Sequence, residues 1–123
     1  MSPVETIMRT APVIPVLVIE DAVHARAIAE ALVAGGLPVL EVTLRTAAAL
    51  DAIAEMKRVP GAIVGAGTVV DVAGLDSAIA AGAEFIVSPG LTDTLGKAAI
   101  AKDIPFLPGV ASAGDIMRGL DLG

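Results

Sequence analysis

In the run Leu40-Glu41-Val42-Thr43-Leu44-Arg45, charged and hydroxyl side chains alternate with aliphatic ones. A β-strand sends successive side chains to opposite faces, so Glu41, Thr43 and Arg45 share one face while Val42 and Leu44 take the other. A carboxylate, a hydroxyl and a guanidinium are costly to bury on an apolar strand without partners. They belong at a strand end that opens into a site. There a carboxylate is a general base, and a guanidinium holds a substrate carboxylate by paired hydrogen bonds. The competing reading is a structural ion pair between Glu41 and Arg45. Gly65-Ala66-Gly67-Thr68 closes a second apolar run, and Ser88-Pro89-Gly90 closes a third. Small or polar residues ending successive strands mark the active face of a βα-barrel.

The other candidates are weaker. Gly65-Ala66-Gly67-Thr68-Val69-Val70 departs from the dinucleotide pattern G-x-G-x-x-G, because bulky Val70 stands where close packing needs a small residue. The glycines are expected instead to let a ligand approach the backbone or to make a tight turn, with Thr68 donating a hydrogen bond from the loop. Ser88-Pro89-Gly90 and Pro108-Gly109 by themselves are ordinary turn chemistry. His24, early in a helix, reads as solvated or structural, and Met56 and Met117 as packing residues. Lys57, Lys97 and Lys102 fall on helices or at their ends. None occupies a strand end, where a desolvated amine acts as a nucleophile.

These groups need a frame to hold them. Ser2-Pro3-Val4-Glu5 predicts a short leading helix to about Arg9, with Ser2 as N-cap and Glu5 completing a capping box. Five strand-plus-helix units follow, with strands expected at 13–19, 38–44, 62–66, 84–87 and 104–107. Their helices are expected to start at Asp21, Thr46, Asp71, Thr92 and Ser112, with Gly35-Gly36 and Gly82 ending the first and third. Strand starts recur at roughly 20–25 residues, the length of a compact βα unit. No linker, low-complexity tract or charge block interrupts the array, so residues 1–123 read as a single domain.

Composition fits such a frame and excludes several functions. Hydrophobic residues make up 55% of the 123 and aromatics 2%, so the core is Ala, Val, Ile and Leu, as buried parallel strands require. A net charge of −6 argues against nucleic acid and anionic membranes as partners. No cysteine is present, which removes disulfides, thiolate metal sites and a Cys nucleophile. With one histidine, a His-based metal cluster is not expected, and no cofactor is implied. The longest apolar stretch, 11–19, is broken by Pro12 and Pro15 and falls short of the ~20 residues of a membrane helix. It also lacks the flanks of a signal peptide, so a cytoplasmic protein is expected. The mean hydropathy of +0.83 is high for a soluble monomer.

Taken together, Leu40-Glu41-Val42-Thr43-Leu44-Arg45-Thr46, Val64-Gly65-Ala66-Gly67-Thr68-Val69 and Ser88-Pro89-Gly90-Leu91 closely resemble the 2-keto-3-deoxy-6-phosphogluconate (KDPG) / 4-hydroxy-2-oxoglutarate (KHG) aldolase family. Pro12-Val13-Ile14-Pro15-Val16 and Pro105-Phe106-Leu107-Pro108-Gly109 are similar to it too. The resemblance implies an α/β fold of the TIM (β/α)8 type, here about five βα units and a short N-terminal helix, and a homotrimer. It also implies a metal-free class I aldolase of carbohydrate metabolism, cleaving KDPG to pyruvate and glyceraldehyde 3-phosphate, or KHG to pyruvate and glyoxylate. In that family a lysine forms a Schiff base with the C2 ketone. By resemblance Glu41 is the general acid/base, Arg45 and Thr68 bind the pyruvate portion of the 2-keto acid, and Pro89 lines the same site. Leu44-Arg45 and Ser88-Pro89-Gly90 favour the gluconate over the galactonate branch.

The family's lysine lies on strand six, a few residues beyond a Gly-Leu-Asp-x-Gly stretch that here is Gly119-Leu120-Asp121-Leu122-Gly123. The expectation is therefore a truncated barrel with the base and part of the carboxylate site, but without the nucleophile or the phosphate-binding loops. Such a chain is expected to be inactive alone. Two alternatives remain open: a non-catalytic fragment that oligomerises or complements a missing half, and a carboxylate-binding module. Uncovered strands at either edge favour self-association.

Overall fold

The computed structural model describes all 123 residues. Helix α1 (Pro3–Thr10) leads into five units: β1 (Val16–Leu17) with α2 (Ala25–Ala34), β2 (Val39–Thr43) with α3 (Ala49–Met56), β3 (Ile63–Gly67) with α4 (Val72–Ala81), β4 (Ile86–Ser88) with α5 (Asp93–Ala101), and β5 (Phe106–Pro108) with α6 (Ala113–Leu122). The strands form one parallel sheet in the order β1-β2-β3-β4-β5. β1 and β5 are its two edges, so the sheet is an open arc of the expected barrel type.

The caps explain most helix starts. The Ser2 side chain accepts from the Glu5 amide while the Glu5 carboxylate accepts from the Ser2 amide, so the predicted capping box forms. Asp71, Thr92 and Ser112 each accept a backbone amide at the starts of α4, α5 and α6. Asp21 caps a 3-10 turn, Ala22–His24, which precedes α2. α4 stops at Gly82, whose φ of +102° is the left-handed conformation that ends a helix without strain only in glycine.

Thr46 departs from expectation. Its hydroxyl donates to the Ile19 carbonyl at 2.5 Å, bracing the ends of the first two units, and α3 begins at Ala49 without a side-chain cap. β1 is also far shorter than residues 13–19. Pro12 and Pro15 bring no amide to a ladder, and an edge strand has a partner on one side only.

Alternation along the strands separates two cores. Leu40, Val42, Val64, Ala66 and Ile86 pack outward against Ala29, Ile53, Met56, Leu75, Ala78 and Ala99 of the helices. Small alanines let the helices lie close, and each fully buried large aliphatic contributes about 1.5–3 kcal/mol. The inner face carries Val39, Ile63, Phe85 and Val87, with Ile7 and Ala11 packed against them from below. α1 thereby closes the amino-terminal end of the arc.

The Asp71 cap gives a direct test of this frame, since its Oδ1 accepts the Gly74 amide at 2.7 Å. Asp71→Ala should lower unfolding free energy by about 1 kcal/mol, and Asp71→Ser should restore most of it. Urea titration followed by circular dichroism reads both; equal stability of all three proteins would contradict the assignment.

Candidate active site

β2 is buried along its whole length, and its inner face presents Val39, Glu41 and Thr43 in turn. Across the ladder Val39 pairs with Ile63, Glu41 with Gly65, and Thr43 with Gly67. These positions differ in surroundings. Val39 belongs to the inner apolar cluster, whereas Thr43 donates its hydroxyl to the Leu17 carbonyl at 3.1 Å and joins β2 to β1. Glu41 is 8% exposed, and its side-chain carboxylate accepts no hydrogen bond from any protein group. Burial pushes its carboxyl above the ordinary value, and the Arg45 guanidinium partly opposes that rise.

Strand geometry aims this carboxylate. The carboxylate of Glu41 lies beside Gly67, one inward position beyond its ladder partner Gly65, so the side chain leans toward the carboxyl end of the sheet. The volume over Gly65 is filled by the Phe85 ring. Neither glycine has a positive φ, so the expected tight-turn role does not hold. The expected approach of a ligand to the backbone is replaced as well: the space these glycines leave is taken by side chains of the protein itself.

Arg45 and Thr68 stand at the same edge, just past the ends of β2 and β3. Arg45 Nε donates to Thr68 Oγ1 at 3.4 Å. The Thr68 hydroxyl is thus an acceptor here, with its own proton still available to donate. Leu44 N–H donates to the Gly67 carbonyl at 2.9 Å and fixes the two strand ends together. Thr68 has φ +59°, a left-handed conformation that costs a β-branched residue on the order of 1–3 kcal/mol. The ion-pair reading fails, because Glu41 and Arg45 form no salt bridge. Arg45 is exposed, and its terminal amino groups have no partner in the protein.

Pro89 lies one strand further along the same edge and is exposed. Its turn is held by the Ser88 hydroxyl, which donates to the Gly90 carbonyl at 2.5 Å, and by the Gly109 amide, which donates to the Ser88 carbonyl at 2.8 Å. Glu41, Gly67, Thr68 and Arg45 therefore form one connected group, with Pro89 beside it rather than in contact. Sequence reasoning missed the parts played by Gly67 and Phe85. The available signal was two glycines at inward positions opposite an inward carboxylate.

No lysine reaches this group through β-strand positions. Lys57 ends α3 and pairs with Glu84 at 3.7 Å, Lys102 ends α5 and pairs with Asp76 at 2.8 Å, and Lys97 is on α5. A cavity of about 290 Å³ lies elsewhere, walled by Leu91, Ile100, Phe106 and Leu122 and by the start of α1. None of Glu41, Arg45 or Thr68 lines it. No helix is long and apolar enough to cross a membrane.

A parallel βα array with a carboxylate, a cation and a hydroxyl at its carboxyl-terminal edge has the arrangement of a βα-barrel, whose carboxyl-terminal face is where such enzymes carry their sites. A sequence model described as KDPG and KHG aldolase matches residues 4–123, and the chain belongs to that family. It is 64% identical over all 123 residues to the 2-dehydro-3-deoxy-phosphogluconate aldolase of Zymomonas mobilis, of which it covers 59%. It is 52% identical over 120 residues, 97% of the chain, to the KHG/KDPG aldolase of Escherichia coli, covering 56% of that protein. The KDPG aldolase of Legionella pneumophila, solved with pyruvate captured as a covalent carbinolamine, superposes with a TM-score of 0.94 at 43% identity. That match covers 99% of this chain and 60% of the other. The chain thus spans a little over half the length of these relatives.

The raised Glu41 carboxyl predicts a pH signature. Below the ordinary carboxyl value of 4.5 the side chain is protonated whether folded or unfolded. As pH rises from there toward the higher folded value, the unfolded chain ionises first and stability falls. Glu41→Gln does not titrate. Its stability advantage over the native chain should grow across that window and level off above it, read by urea unfolding from pH 4 to 8. A difference independent of pH would contradict the desolvated carboxyl.

Proposed function

We propose that this chain forms the acid/base and carboxylate-binding part of a class I aldolase acting on KDPG, with KHG as the smaller alternative substrate. The desolvated, unpartnered carboxylate of Glu41 beside Arg45 and Thr68 carries this reading. In the proposed reaction a lysine amine adds to the C2 ketone and loses water to form a protonated imine. Glu41 takes the proton of the C4 hydroxyl. The C3–C4 bond breaks, its electron pair moves into the imine to give an enamine, and C4 leaves as an aldehyde. Glu41 then returns a proton to C3, and hydrolysis releases pyruvate and the free amine. Arg45 holds the C1 carboxylate through its free terminal amino groups, Thr68 donates to the same portion, and Pro89 lines the wall beside it.

The carbinolamine in the Legionella relative is the adduct that precedes such an imine, which supports amine chemistry in this family. In this proposal the amine comes from beyond the matched region, as do the loops that bind phosphate. Lys57 and Lys102 are held in ion pairs on the helical layer, and Lys97 is on α5. The names of the relatives favour the gluconate substrate. Homo-oligomerisation belongs to the same reading.

Borohydride reduction in the presence of pyruvate, read by intact mass, tests the division of labour. The 123-residue chain should gain no adduct. Co-expression with a segment supplying the strand-six lysine should restore both trapping and cleavage, with the adduct on the added segment. A stable adduct on Lys57, Lys97 or Lys102 with aldol turnover would overturn the proposal. An inert, stable oligomer from the co-expressed pair would favour the non-catalytic reading instead.

A further inference from the structure

Gly67 ends β3 at an inward position, and its missing side chain is where the Glu41 carboxylate lies. A β-carbon built on Gly67 would come within 2.7 Å of the Glu41 carboxyl carbon and within 2.9 Å of its Cγ, and closer still to Oε1. Real side chains do not make such contacts. Two positions earlier, a β-carbon on Gly65 would meet the Phe85 ring at 2.5 Å. Gly65 is the ladder partner of Glu41, so the ring already fills the space directly across from the glutamate. The carboxylate cannot settle level with its own pair and extends one layer toward the rim.

We propose that Gly67 is a positioning residue: by lacking a β-carbon it forms the slot that holds the Glu41 carboxylate at the rim, while Phe85 over Gly65 closes the layer beneath. Conformational freedom does not explain the glycine, since its φ is not positive and an extended strand residue loses backbone entropy by being glycine. Alanine at 67 would be tolerated or favoured if Glu41 were absent. The three atoms nearest such a β-carbon all belong to Glu41, so the residue acts through Glu41. Arg45 is the charged group that acts on this carboxylate. Val16, the ladder partner of Glu41 on its other side, is 59% exposed, so a side chain displaced from the slot is expected to meet water.

Glu41's catalytic role is taken from the aldolase reading, but the slot can be tested without turnover. Thermal unfolding of the full chain compares the native protein, Gly67→Ala, Glu41→Ala and the double variant. Gly67→Ala should lower Tm by about 5–10 °C in the native background, the range expected for overpacking. In the Glu41→Ala background the loss should fall to less than half of that. If Gly67→Ala alone does not fold, a folded double variant gives the same answer. Titration of the Glu41 carboxyl carbon by NMR provides the second readout, with its pKa expected to move down toward the ordinary glutamate value in Gly67→Ala. An equal Tm loss in both backgrounds, failure of both variants to fold, or an unmoved Glu41 titration would overturn the slot. A failed complementation with the coupling intact would sink the aldolase reading and leave the slot standing.

Discussion

A largely buried carboxylate that accepts no hydrogen bond from the protein, on a strand face otherwise lined by aliphatic side chains and glycine, is the constraint around which this chain is arranged. Such a group is unstable as an anion, and it persists only where other packing holds it. β2 provides that support. It is the one strand buried at every position, hydrogen-bonded to β1 and β3 and covered outside by the helical layer. The strand that carries the least favourable side chain is the most firmly packed.

The rest of the inner face is graded to suit. At the amino-terminal end Val39, Ile63 and Phe85 form an apolar floor against Ile7 and Ala11. At the carboxyl-terminal edge the apolar groups give way to Gly67, Thr68 and Ser88, and the loops there carry Arg45 and Pro89. Burial on the lower layer raises the cost of ionising Glu41, while access from the upper edge keeps it reachable. A parallel sheet produces this gradient naturally, because all its strands end on the same side.

Much of the frame was legible in the sequence because its signals are local. The Ser2–Glu5 box, the Asp71, Thr92 and Ser112 caps and the Gly82 stop each depend on a few neighbouring residues, and each forms as read. Glu41, Thr68 and Arg45 were legible as candidates because strand alternation and strand ends are also local. What escaped depends on pairing between strands. The register that sets Glu41 against Gly65, and the lean that carries it to Gly67, become visible only when β2 and β3 lie side by side. Thr46 departs from its cap pattern for the same reason: its hydroxyl satisfies a carbonyl of the preceding unit, which neighbouring residues do not reveal. The left-handed Thr68 could not be read at all, since β-branched residues disfavour that conformation and only the surroundings impose it.

Glu41 and Arg45 share one edge yet form no ion pair, and the proposed acid/base role accounts for that separation. A carboxylate in a direct ion pair with arginine is held ionised, and it then gives up a proton readily but takes one poorly. A general acid/base that works in both directions needs a proton affinity raised toward the operating pH. Burial supplies the rise, and a guanidinium that acts on Glu41 without touching it limits that rise. Thr68 maintains the arrangement by accepting Arg45 Nε, which draws the guanidinium to the β3 side of the edge and leaves its terminal amino groups facing no protein acceptor. The left-handed Thr68 backbone and the empty side-chain volume of Gly67 are adjacent. One residue anchors the cation and the other admits the carboxylate, so two opposite charges share one edge without neutralising each other.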